Sequence, residues 1–150
     1  MNTKISSRTV DLVVVMLANL VNVIMVYIFL MRIQGVQHPL IFGWVWGAFA
    51  ILLVGAFGLN ARAKREWWFI LIPLLLALFL ILEIVLDYIL QIEFRSTWIL
   101  GPYLLLYYAA IMGMIGYAFL TEKKYGFITL ATYFASQIAA LYSYINVGHG

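Results

Sequence analysis

Residues 67–90 read WWFILIPLLLALFLILEIVLDYIL, and this stretch decides the fold. No charged side chain interrupts it before Glu83. A helix rises about 1.5 Å per residue, so about 20 apolar residues cross a hydrocarbon core about 30 Å thick. The stretch is long enough to do so, and it opens on Trp67 and Trp68, whose amphipathic rings favour the membrane–water interface.

Working outward, four further apolar runs have the same character. They cover residues 10–31, 39–59, 98–120 and 125–145, and short polar breaks separate them at 32–38, 60–66, 91–97 and 121–124. Trp98 and Tyr125 stand at span ends, as Trp67 and Trp68 do. The expected fold is all-α: one integral membrane domain over residues 1–150, a bundle of five transmembrane helices in contact with the lipid bilayer. Composition agrees, with 66% hydrophobic and 10% charged residues where a soluble domain is nearer half and a quarter. Lys4 and Arg8 ahead of the first run resemble a signal peptide. The run is too long for one and lacks a small-residue cleavage site, so it reads as an uncleaved first span.

Lys and Arg set the expected orientation. Lys4, Arg8, Arg62, Lys64, Arg65, Lys123 and Lys124 fall on one side of a five-span chain, and Arg32 and Arg95 on the other. The positive-inside rule then puts the N-terminus in the cytoplasm and the C-terminus outside. With no evident targeting extension, a plasma or inner cell membrane is the expected address. The net charge of +3 is spread over separate loops without a continuous basic face, so nucleic acid is not an expected partner.

Several chemistries are excluded. With no cysteine there is no disulfide or thiolate metal site. No lysine or histidine falls inside a span, which removes a Schiff-base chromophore and a bis-histidine haem. Zinc-protease, nucleophile-elbow, phosphate-loop and dinucleotide motifs are absent. No cofactor or metal is expected. His38 and His149 read as solvated residues on the outer side.

One polar constellation remains. Glu83, Asp87 and Gln91 are spaced i, i+4, i+8, which puts them on one face of a helix. Charged groups are costly inside a bilayer and normally face a protein interior or a wet cavity. By depth, Tyr103 and Tyr107 of the fourth span, with Tyr108 beside them, fall near this face. So does Gln137 of the fifth, alongside Tyr133 and Tyr144. Asn19 and Asn22 of the first span could hydrogen-bond a buried carboxylate. The expectation is an outward-facing polar pocket lined by the third, fourth and fifth spans with Glu83 at its floor. The opposing reading is a hydrogen-bond network that only fixes helix register. Glu93 and Arg95 read as a salt-bridged rim beside Asp87, with anion binding by Arg95 as the alternative. Asp11 reads as an interfacial partner of Arg8 or a first-turn acid.

Small residues supply packing faces: Ala131, Ala135, Ala139 and Ser143 in the fifth span, Gly43, Gly47 and Gly55 in the second, and Ala109 and Gly113 in the fourth. They suit close packing within one bundle and would also suit a homo-oligomer. Pro73 and Pro102 lie near the starts of their spans, where proline costs little. The leading functional expectation is a carrier or channel-like protein binding a cation, a proton or a small polar solute. A structural or accessory subunit is the alternative, and an intramembrane lipid-modifying enzyme stands behind both.

Overall fold

A computed structural model describes residues 6–35 and 40–147. Lys4, His38, Pro39 and His149 lie outside the described residues. Five long helices and no strands occur among those described: α1 Ser7–Ile33, α2 Ile41–Arg62, α3 Trp67–Glu83, α4 Leu100–Thr121 and α5 Lys123–Val147. A π-helical segment, Ile84–Ile89, continues α3, and a 3-10 turn, Phe94–Ser96, precedes α4. α1 and α5 outrun their apolar stretches at both ends, because backbone hydrogen bonding continues past the point where polar side chains begin, whereas α2 and α4 start just inside theirs.

Among the described residues four helices are long and apolar enough to cross a membrane: α1, α2, α3 with its π-helical continuation, and α4. α5 is as long, at 25 residues, but carries Thr129, Thr132, Ser136, Gln137 and Ser143. Those groups are not scattered. Thr129, Ser136 and Ser143 are fully buried, whereas Phe127, Phe134, Ile138, Leu141 and Ile145 of the same helix are exposed. α5 is therefore polar toward its neighbours and apolar away from them.

The helices pack in the order α2–α3–α4–α5–α1, with α1 also touching α4 and α2. Val14, Leu17, Ala18 and Val21 of α1, Leu76, Ala77 and Leu80 of α3, and Ala110, Met114 and Ala118 of α4 fill the centre. Two adjacent polar rungs tie α1 to α5. Asn19 Nδ2 donates to Thr129 Oγ1 at 3.0 Å, Thr132 Oγ1 donates to Asn19 Oδ1 at 2.7 Å, and Asn22 Nδ2 donates to Thr132 Oγ1 at 3.1 Å. Asn19 and Asn22 thus serve the α1–α5 contact and not a carboxylate, which corrects the expectation for them. Interhelical bonds of this kind contribute about 0.6–2 kcal/mol each in a membrane.

The small-residue faces divide. A methyl group on Gly43 would meet the Tyr88 ring at 3.0 Å, and one on Gly113 would meet Ile72 at 3.4 Å, so both serve packing within the chain. Ala139 and Ser143 are buried, but Ala131 and Ala135 are exposed, and a methyl on Gly47 or Gly55 would meet open space. The four-residue stripe on α5 is therefore not one groove. Its buried face follows the mixed three- and four-residue spacing of Gly126, Thr129, Tyr133 and Ser136. Between α4 and α5 only Glu122 intervenes, and the Phe119 ring lies where a Cβ on Gly126 would stand.

At one end of the bundle a polar cluster joins four helices. Proline has no N–H, so Pro73 cannot bond the carbonyl of Phe69 one turn earlier. Asn60 Nδ2 takes that place, donating to Phe69 O at 2.7 Å. Asn60 Oδ1 accepts from Arg65 Nη1 at 3.2 Å, Arg65 Nη2 donates to Asp11 Oδ2 at 3.0 Å, and Tyr117 Oη donates to Asp11 Oδ1 at 2.6 Å. The Arg65 guanidinium also stacks over the Phe69 ring at 3.9 Å. Hydrogen bonding to Asp11 holds the Arg65 guanidinium above its ordinary pKa. Asp11 is buried and sits beyond the first turn of α1, so its partner is Arg65 and not Arg8.

Candidate functional site

At the opposite end the chain turns from α3 into α4 through Phe94–Ser96. The π-helical segment carries Asp87 to this turn, where its two oxygens accept from Arg95 Nη1 at 3.0 Å and Nη2 at 2.8 Å. Such a fork-to-fork pair fixes the guanidinium plane. Arg32, at the end of α1, approaches Asp87 at 3.9 Å. Burial pulls the Arg95 pKa down, and its hydrogen bonds to Asp87 together with the negative charge of Asp87 and Glu83 outweigh this, leaving it raised.

Glu83 lies one turn deeper and is 2% exposed. Its Oε2 accepts a hydrogen bond from Tyr103 Oη at 2.7 Å. Tyr103 packs against Phe79 and Phe94, with ring centroids 5.7 and 4.8 Å away. The phenol therefore separates Glu83 from what lies on its other side.

What lies there is a cavity of about 280 Å³ between α1, α4 and α5. Met25 and Phe29 wall it from α1, with Leu100 and Leu104 from α4. Polar groups enter from three directions: Arg32 and Arg95 at the level of the turn, Tyr103, Tyr107 and Tyr108 along α4, and Gln137 and Tyr144 from α5. Gln137 bridges the tyrosines, donating through Nε2 to Tyr107 Oη at 2.7 Å and accepting from Tyr108 Oη at 3.4 Å. Small-molecule sites commonly combine apolar walls with a few converging polar groups in this way.

The structure brings together some of the residues expected from sequence and separates others. Tyr103, Tyr107 and Gln137 line the cavity. Glu83 and Asp87 do not; they stand behind Tyr103 and Arg95, outside the lining. Gln91 is apart from all of them. The π-helical segment ends at Ile89, Gln91 turns into the left-handed region at φ 49°, and its side chain is exposed. The expected run of three residues on one face therefore stops at two. The walls are α1, α4 and α5, so α1 takes the place expected of the third span. Glu93 is exposed, and the partner of Arg95 is Asp87.

Sequence reasoning missed the apolar wall residues and one charged lining residue, Arg32. Its position three residues after Phe29 and seven after Met25 puts all three on one face of α1, a signal its place at the end of the span hides.

Fold and site together define an all-helical protein with helices able to cross a membrane and an amphipathic cavity near one end. No protein family, curated protein or solved structure matches the chain.

Proposed function

We propose that this protein crosses the plasma membrane five times, with its N-terminus in the cytoplasm, and acts as a small carrier or channel-like protein that takes a small polar solute into an outward-facing cavity. The single observation that carries this reading is the convergence of Arg32, Arg95, Tyr107 and Gln137 on one cavity of about 280 Å³. Five crossings are supported by the sidedness of α5, whose polar groups turn toward α1 while its outer face is apolar. The orientation rests on the basic residues. Arg8, Arg62, Lys64, Arg65, Lys123 and Lys124 belong to the end where Asp11 meets Arg65, and Arg32 and Arg95 to the other. The uncovered Ala131 and Ala135 on α5 leave room for a second copy to pack closely, which would supply the paired units many carriers are built from.

One observation favours a second reading, in which the polar residues lock helix positions in an accessory subunit. Both carboxylates near the cavity already have partners within the chain, Glu83 in Tyr103 and Asp87 in Arg95.

Gln137→Leu separates the two, because Gln137 lines the cavity and its bonds run to Tyr107 and Tyr108, which line it too. The purified protein and the variant are reconstituted in liposomes, and flux of protons, alkali cations and small carboxylates and amines is followed alongside melting in detergent. A carrier shows flux in the parent chain that falls at least tenfold in Gln137→Leu with melting little changed. No flux above empty liposomes for any solute contradicts the carrier reading.

A further inference from the structure

We infer that the cavity takes a small organic anion with an apolar body, of which a monocarboxylate is the simplest example. This rests on the solute-binding reading above and names its substrate class.

The charged groups that touch the cavity are both guanidiniums, Arg32 and Arg95. Both nearby carboxylates are screened from it: Glu83 by the Tyr103 ring that bonds it, and Asp87 by the Arg95 fork. Coulomb energy falls with distance and is weakly screened away from water, so the nearest charges set the field a guest meets. A guanidinium carries five N–H donors, and the two that Arg95 gives to Asp87 leave others for a second acceptor. Asp87 also does for Arg95 what a positioning residue does, holding the fork in one plane before any guest arrives.

Below the arginines apolar side chains share the walls with Tyr107, Tyr108 and the Gln137 that bridges them. Met25, Phe29 and Arg32 follow one another on one face of α1, so the charge lies about 10 Å along the helix from the Met25 level. Leu100 and Leu104 continue that surface on α4. An anionic head among the arginines with an apolar body toward Met25 satisfies both ends at once. A volume of about 280 Å³ is at the small end of ligand pockets, which run from about 300 to 1,000 Å³, and limits the guest to a small molecule. The competing guest is an organic cation seated on the faces of Tyr103, Tyr107 and Tyr108. It would have to approach two guanidiniums that share a single Asp87 carboxylate.

Three probes of one shape test the inference: benzoate, benzamide and benzylamine, carrying charges of −1, 0 and +1 on the same ring. Each is titrated calorimetrically into the purified full chain in detergent, and into Ala140→Leu, which adds bulk to the cavity wall. Benzoate should bind at least tenfold more tightly than benzamide, with benzylamine weakest, and Ala140→Leu should weaken all binding at least tenfold. Arg32→Gln should lower benzoate affinity about tenfold and leave benzamide affinity unchanged. The ranking on the parent chain needs no variant to fold. If benzylamine binds best and Ala140→Leu blocks it, the cavity stands as a solute site and the anion assignment is overturned. If none of the three binds, or binding is indifferent to Ala140→Leu, the solute-binding reading falls and the anion assignment with it.

Discussion

Asn60 shows how one residue answers for another. Pro73 leaves the Phe69 carbonyl without its helical donor, and Asn60 Nδ2 supplies one at 2.7 Å from a different helix. Asn60 is buried, so a carbonyl left unpaired there has little water to turn to and the bond matters more than at a surface. Replacing Asn60 with Leu should destabilise the protein by about 1–3 kcal/mol, the cost of a buried polar group left unsatisfied. Pro73→Ala restores a backbone N–H to Phe69, so the double variant Asn60→Leu/Pro73→Ala should recover part of the loss. The remainder belongs to the Arg65 contact, which also depends on Asn60. Thermal melting of the single and double variants in detergent measures this coupling. Strict additivity of the two substitutions would show that Asn60 does not stand in for the proline.

At the scale of the element, α4 and α5 reverse direction across Glu122 alone, and the reversal is possible because Gly126 lets the Phe119 ring lie against the backbone. A Cβ at Gly126 would overlap ring atoms close to the Phe119 backbone, so the ring cannot simply swing aside. Gly126→Ala should lower stability by about 1–3 kcal/mol through overpacking, and Phe119→Leu in the same chain should relieve part of it. Melting of both variants checks the pair, and a neutral Gly126→Ala would mean that the two helices splay without cost. The π-helical segment Ile84–Ile89 acts at the same scale, ending the helix so that Asp87 meets Arg95 and Gln91 does not follow it. π-helical segments of this kind are common where a helix meets a functional site.

Over the whole molecule, the sequence displays its helices clearly and its polar partnerships poorly. Apolar length against bilayer thickness identifies α1 to α4, because the 67–90 stretch and its neighbours have no other stable place. α5 is harder to read, since Thr129, Ser136 and Ser143 dilute its hydropathy and only their shared burial explains them. Spacing along one helix puts Glu83 one turn from Asp87, and in the fold Tyr103 Oη bonds Glu83. Spacing cannot tell that Asp11 pairs with Arg65 across 54 residues, or that Arg32 reaches the cavity from α1. Those contacts depend on which helices become neighbours, and helical periodicity carries no information about that.

The cavity exists only if α5 runs back along α1 and α4 for the full depth of the membrane, so the crossing of α5 is the claim on which the rest depends. The chain contains no cysteine, which makes single-cysteine labelling clean. Cysteines placed singly at Gln34, Ser96 and Asn146, and at Ala63 and Lys123, are exposed to a membrane-impermeant maleimide applied from outside intact cells. Labelling is expected at Gln34, Ser96 and Asn146, with Ala63 and Lys123 protected until the membrane is opened. Labelling of Gln34 and Ser96 with Asn146 protected would show that α5 does not cross, and would contradict both the five-span fold and the cavity built upon it.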